Sequence, residues 1–278
     1  MTVEFWIVQT FNGLSYGALL FLLASGLSLI FGVMRIVNLA HGSYFLLGGY
    51  VGLSVIWKTK SFPLALLCGA VAIALVGIGM ERLFLRRLAG QTLGQVLMTV
   101  GFALIFQDLA LLIWGGDPYS LPLPAWLQGV VTAGTLRFPK YRIFIMALAT
   151  LIGAGLWLAL DRTRVGAMIR AAVDDAEMAQ GVGIRVPTVS LGVFALGALL
   201  AALGGGIGGG FLGVYPGLDF EILPYAFVVI IVGGLGSLLV GLLDNFGKAL
   251  FPELAYFTLF APMALILALR PTGLFGRT

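Results

Sequence analysis

From Glu4 to Arg35 the chain carries no charged residue, a run longer than the roughly 20 residues with which a helix crosses a hydrocarbon core about 30 Å thick. Its excess length, with glycines at 13, 17, 26 and 32, predicts a tilted or broken first helix. A shorter apolar stretch, about Tyr44 to Trp57, lies between Arg35 and His41 on one side and Lys58 and Lys60 on the other. It is marginal for a full crossing and reads as a short or re-entrant segment. Further spans are predicted at about Phe62 to Met80, stopped by Glu81, Arg82, Arg86 and Arg87, and at about Leu93 to Trp114, which contains Asp108. Residues 115–142 interrupt the pattern with Asp117, prolines at 118, 122, 124 and 139, and Trp126, the composition of an ordered loop at an interface. A fifth span at about Ile143 to Leu160 leads into the most charged stretch, 161–187, and three more read at about Val189 to Val214, Ile222 to Leu243 and Leu254 to Leu269. The pattern predicts an all-α, polytopic membrane protein with about eight transmembrane helices, a single domain over residues 1–278.

Composition narrows the class. Hydrophobic residues make up 60% of the 278 positions and charged residues only 10%, against roughly 25% charged in soluble domains. Forty glycines would weaken soluble helices by about 1 kcal/mol each relative to Ala, but between bilayer helices small residues permit close backbone approach. The net charge of +4 comes from basic residues at span ends, which are topology signals rather than a nucleic-acid surface. On that rule the 82–87 cluster and the 161–187 loop face the cytoplasm, and strict alternation places Arg35 and Lys248 there too. The one cysteine, Cys68, excludes an internal disulfide framework. MTVEFW lacks a basic region and a small-residue cleavage site, so no removable signal peptide is expected.

Few motifs carry chemistry. Gly204, Gly206 and Gly209 match GxGxxG but follow no strand, which removes the dinucleotide reading. The same GGGIGGG run supplies the small-xxx-small pairs Gly204/Gly208 and Gly206/Gly210, suited to a tight helix crossing or a break beside a pore. No Walker A loop occurs, so ATP chemistry must reside on another chain. His41 is the sole histidine; no two-histidine metal site and no catalytic group is expected. With Asn38 and Gly42 beside it, His41 reads as part of a hydrogen-bonded turn or as a group on a solute path. Asp108, next to Gln107, is the carboxylate deepest in a span and so a functional suspect. It also stands about two turns from the Gly115–Gly116 break, near enough to reach an interface.

The polar loop is the most informative segment. AMIRAAVDDAEMAQ (167–180) contains good helix formers, with Gly181 or Gly183 placed to end one short surface helix. Its one basic residue, Arg170, stands with three acids, Asp174, Asp175 and Glu177, so docking in a partner's groove explains the helix better than anionic lipid does. A solvated loop helix is the competing account.

GLSLIFGVMRIVNLAHGSYFLLGGYV (26–51) resembles the opening block of permease subunits of branched-chain amino-acid ABC importers, the Liv type. RAAVDDAEMAQGVGI (170–184), VGGLGSLLVG (232–241) and RPTGLFGR (270–277) are similar to later blocks of that family, in the same order. The resemblance implies a multi-pass subunit of a bacterial or archaeal inner (plasma) membrane, embedded in lipid. It pairs with a second permease subunit, identical or homologous, with two ATP-binding subunits that hold ATP and Mg, and with an extracytoplasmic solute-binding protein. It implies no cofactor in this chain. By the same analogy 170–184 is the coupling segment, with Arg170 where the family pattern begins with Glu, then Ala171, Ala172, Asp174, Asp175, Glu177, Ala179, Gly181 and Gly183. Ala171 and Ala172 would form the face seated in an ATPase groove. Branched-chain amino acids are the central solute expectation, with urea, amides and other small solutes as alternatives within the family. A self-contained secondary transporter would instead work without ATPases and give Asp108 the coupling ion; an intramembrane enzyme would need a nucleophile and base, which the chain supplies poorly.

Overall fold

Backbone groups in hydrocarbon find no water to bond, so apolar stretches close their hydrogen bonds within helices. The computed structural model describes residues 2–232, 236–254, 257, 260, 261, 263, 264 and 268. Its helices are α1 (Val3–Met34), α2 (His41–Thr59), α3 (Phe62–Leu83), α4 (Thr92–Trp114), α5 (Lys140–Arg162), α6 (Arg164–Asp174), α7 (Ala176–Gly181), α8 (Val186–Gly208), α9 (Leu218–Val232) and α10 (Gly236–Leu250). Among the described residues five helices, α1, α3, α4, α5 and α8, are long and apolar enough to cross a membrane. The chain is a multi-pass, helical membrane protein. The last expected span, Leu254 to Leu269, falls mostly outside the described residues, as does the 270–277 block.

The short second segment is the centre of the bundle. Tyr44, Phe45, Leu46, Tyr50 and Leu53 of α2 are fully buried, packed among α1, α3, α4, α8 and α9. The imidazole Nε2 of His41 lies 2.9 Å from the Leu23 carbonyl oxygen, while α1 continues to Met34. Residues 35–40 therefore turn back into the bundle, and α2 starts inside it. Glycine makes the packing possible: a Cβ on Gly205 of α8 would stand 1.7 Å from the Phe45 carbonyl oxygen. The same holds where α1 crosses α8, since a Cβ on Gly26 would meet the Gly197 oxygen at 2.5 Å. Around this core α4 and α5 turn Leu97, Leu104, Leu112, Leu151 and Leu158 outward, where lipid is the matching solvent.

The stretch Ile222 to Leu243, expected as one crossing, is instead parts of two short helices. Over the described residues α9 and α10 each run 15 residues, about 22 Å at 1.5 Å per residue, short of the roughly 30 Å core. Ser237 and Leu238 pack on Gly17, and Leu242 on Gly13, and Asn245 donates to the Gln9 carbonyl at 2.8 Å. Hence α10 runs antiparallel to α1 from its middle back toward its N-terminal end. Residues 233–235, between the two helices, lie outside those described. Hydropathy could not reveal this arrangement, because two short helices buried against protein are as apolar as one span.

Two ends follow. At one, Arg35 donates to the Val173 carbonyl (3.4 Å) and Arg86 to the Pro187 carbonyl (2.9 Å), gathering the arginine-rich segments. At the other, β1 (Val130–Ala133) pairs antiparallel with β2 (Leu136–Pro139), and Tyr119 exchanges backbone hydrogen bonds of 2.9 and 2.7 Å with Val214. The 115–142 stretch thus forms an ordered cap without a crossing helix. Lys248, grouped with Arg35 by strict alternation, stands on the half of the bundle away from Arg35 because α9 and α10 return the chain.

Candidate functional site

At the arginine-rich end the chain builds a short arm from α6 and α7. The predicted single helix over 167–180 is broken at Asp175, whose backbone is extended (φ −151°, ψ 105°). Its Oδ1 accepts from the amides of Glu177 (2.9 Å) and Met178 (3.0 Å), making it the N-cap of α7. Gly183, at φ +91°, ends α7 in the left-handed conformation that favours glycine, while Gly181 is its last residue. Arg170 donates to the Leu160 carbonyl and lies 3.8 Å from Asp161, tying α6 to α5. The elbow between them needs Gly166, where a Cβ would sit 2.0 Å from the Leu160 oxygen.

The break turns α7 relative to α6 and changes the exposed face. Ala172 and Ala179 are buried in the chain's own structure and Ala171 is half-buried. Of the two alanines expected to form a docking face, Ala172 is thus covered by the chain's own packing and Ala171 is only partly exposed. Asp174, Asp175, Glu177, Gly181 and Gly183 are exposed, and among them Met178 and Val182 stand 68% and 77% exposed.

Asn38 and His41 are 0% exposed and hold a turn. Asn38 Oδ1 accepts from the Ala40 amide at 3.1 Å, and Thr99 Oγ1 accepts from the Leu39 amide at 3.1 Å. Gln107 is half-buried and Asp108 exposed, on the same outward side of α4 as Leu104, Ile105, Leu109 and Leu112. The four candidates thus do not converge on one site. In the glycine run, Gly204 and Gly208 face the Phe45 ring, Gly206 faces Leu66, and Gly210 faces the Tyr141 hydroxyl. The helix ends at Gly208, so this run serves both a crossing and the exit from α8.

Polar groups that sequence reasoning passed over do converge, in the half of the bundle away from the arginine-rich end. Ser43 donates to Asp219 Oδ2 at 2.8 Å in the interior, with Asp219 only 2% exposed. Nearby a cavity of about 260 Å³ lies between α1, α9 and α10, lined by Tyr16, Leu212, Tyr215, Leu218, Glu221, Ile222, Tyr225 and Lys248. Lys248 Nζ is 2.8 Å from Asp244 Oδ2 and stands 5.6 and 5.7 Å from the ring centres of Tyr16 and Tyr225, within cation–π range. Tyr215 donates to Glu221 Oε2 at 2.7 Å. The signal available in the sequence was the charge pair Asp244 and Lys248 at i,i+4 beside an apolar run, since intramembrane charges pair with one another or face wet cavities. Among the described residues no three His, Cys, Asp or Glu side chains gather into a metal-holding group.

Residues 9–269 match the family described as branched-chain amino acid transport system / permease component. The chain is similar to the high-affinity branched-chain amino acid transport system permease protein BraD of Pseudomonas aeruginosa, 28% identical over 295 residues that cover 98% of this chain and 96% of that protein. LivH of Escherichia coli (strain K12), a permease protein of the same description, is 27% identical over 296 residues, with the same coverage of 98% and 96%. A probable branched-chain amino acid transport permease protein, LivH of Methanocaldococcus jannaschii, is 28% identical over 251 residues, covering 84% of this chain and 78% of that protein. No solved structure matches the chain. With the bundle and nearly the full length of the sequence in agreement, this chain belongs to the family of permease components of branched-chain amino acid transport systems.

Proposed function

We propose that the chain forms the membrane path of an ATP-driven importer for branched-chain or related amino acids in the inner (plasma) membrane. It works beside a second permease subunit, with two cytoplasmic ATP-binding subunits that carry ATP and Mg, and with an extracytoplasmic protein that delivers the solute. Family membership carries the solute reading. The arm supports the motor reading: Met178 and Val182 are large apolar side chains held 68% and 77% exposed on and beside a capped helix whose other exposed residues are mostly acidic or small. Apolar knobs fixed in water mark a surface that a partner covers. When the ATP-binding subunits close on nucleotide, they push on this arm, and the Gly166 elbow and the Arg170 ties pass the displacement to α5.

Reconstitution tests the proposal. Liposomes holding the permease, its partner permease and the ATP-binding subunits, with the binding protein outside, should accumulate labelled leucine only when ATP is enclosed. Equal uptake by the permease alone would establish a self-contained transporter instead.

A further inference from the structure

We infer that the cavity between α1, α9 and α10 is a solute-binding site that takes an α-amino acid as its zwitterion, with Lys248 receiving the carboxylate and Glu221 the ammonium. The solute class rests on the function proposed above; the site and the roles of its residues rest on the geometry.

The charges come first. Lysine has three donors, of which the 2.8 Å bond to Asp244 uses one. The Asp244 side chain is only 5% exposed whereas that of Lys248 is 55% exposed, so the ammonium group is what the cavity presents. Glu221, also lining the cavity, is engaged through Oε2 with Tyr215 and offers its second oxygen. Asp244 already counters the Lys248 charge, so the selection lies in the unused donors and acceptor: an amine alone leaves the two remaining Lys248 donors unmet, and a carboxylate alone leaves the Glu221 oxygen unmet. A small molecule with both charges satisfies both groups at once, and charge-assisted hydrogen bonds to each are the strong kind.

Shape and position agree. Leu212, Leu218 and Ile222 give the cavity an aliphatic side on which a branched side chain is removed from water. Its volume of about 260 Å³ falls just under the roughly 300–1,000 Å³ of pockets for drug-sized ligands, the scale of one small solute. Leu212 and Tyr215 belong to the 209–217 connection, which bonds to the 115–142 cap through Tyr119 and Val214. The cavity therefore lies beneath the end of the bundle at which an extracytoplasmic protein would release its cargo. It is also bounded by α9 and α10, which do not span the membrane and so leave room for a site part-way across.

The test uses the full transporter complex, in a background with Cys68 replaced by Ser. A cysteine at Leu212, a half-buried lining position, is alkylated with and without millimolar leucine, 3-methylbutylamine (the amine alone) or 4-methylpentanoate (the carboxylate alone). Leucine should slow alkylation several-fold and the two single-charge analogues should not. Absence of protection by leucine, or equal protection by either analogue, overturns the inference. In parallel, Lys248→Met and Glu221→Gln should lower leucine uptake about tenfold or more, the scale of one lost charge-assisted hydrogen bond, while Lys248→Arg retains it. Binding-protein-stimulated ATP hydrolysis reports whether each variant assembles. Assembled variants that transport normally overturn the assignment while leaving the importer reading intact. A parent complex with no ATP-dependent uptake removes that reading, and the alkylation result then decides the site by itself.

Discussion

Ala172 and Met178 lie six positions apart on one arm and have opposite neighbours. Ala172 is 4% exposed inside the chain's own packing and Met178 is 68% exposed. A glutamate at 172 must bury a charge without a partner, which costs several kcal/mol, so Ala172→Glu should lower the amount of folded permease. Met178→Glu adds its charge in water and leaves the fold alone, but places it in any groove that receives the arm. Met178→Glu permease should reach parental abundance and melting temperature yet lose co-purification with the ATP-binding subunits. Unchanged co-purification would remove Met178 from the docking face. The sequence showed that a short polar segment with helix formers and glycine stops stood here. It could not show which alanine faced which way, because the Asp175 cap breaks the helix and resets the phase of every residue after it.

Between elements, one end of the long α3–α8 contact is held by a buried acid. Glu81 has its side chain 3% exposed and pairs with Arg86 at 3.3 Å, and Arg86 also reaches the Pro187 carbonyl just inside α8. In sequence the 81–87 cluster read as a stop signal at a membrane face, which explained why charges stood there but not that one of them turned inward. Removing Arg86 strands the Glu81 carboxylate. Arg86→Met should destabilise the permease by on the order of 3 kcal/mol, the low end for broken buried pairs, since Arg86 itself is 39% exposed. Glu81→Gln combined with Arg86→Met removes the stranded charge and should recover most of the loss. Melting of the purified subunit in detergent measures both, and equal melting temperatures for the single and double variants would show that the pair is a surface contact.

Over the whole molecule, the apolar runs revealed the helical membrane class and most helix positions, because a span needs only length and composition. The number of crossings was not legible, because it depends on whether an apolar run faces lipid or protein. That difference decides on which side the chain emerges after α10. If Ile222 to Leu243 crossed once, Glu253 would lie on the same side as Arg86. With α9 and α10 as a pair returning along α1, Phe246 packs on Trp6 with ring centres 5.4 Å apart, and Glu253 follows three residues after α10 ends at Leu250. It then shares a side with the N-terminal end of α1 and with Lys60. Single cysteines in a Cys68→Ser background separate the two arrangements. Those at Lys60 and Glu253 should react with a membrane-impermeant maleimide on intact cells, whereas those at Arg86 and Asp175 should react only with a permeant reagent, as the density of basic residues at that end requires of the cytoplasmic face. Joint protection of Glu253 and Arg86 from the impermeant reagent, with Lys60 labelled, would restore the single crossing and remove the α9–α10 return. It would also move the Lys248 cavity away from the outer end of the bundle.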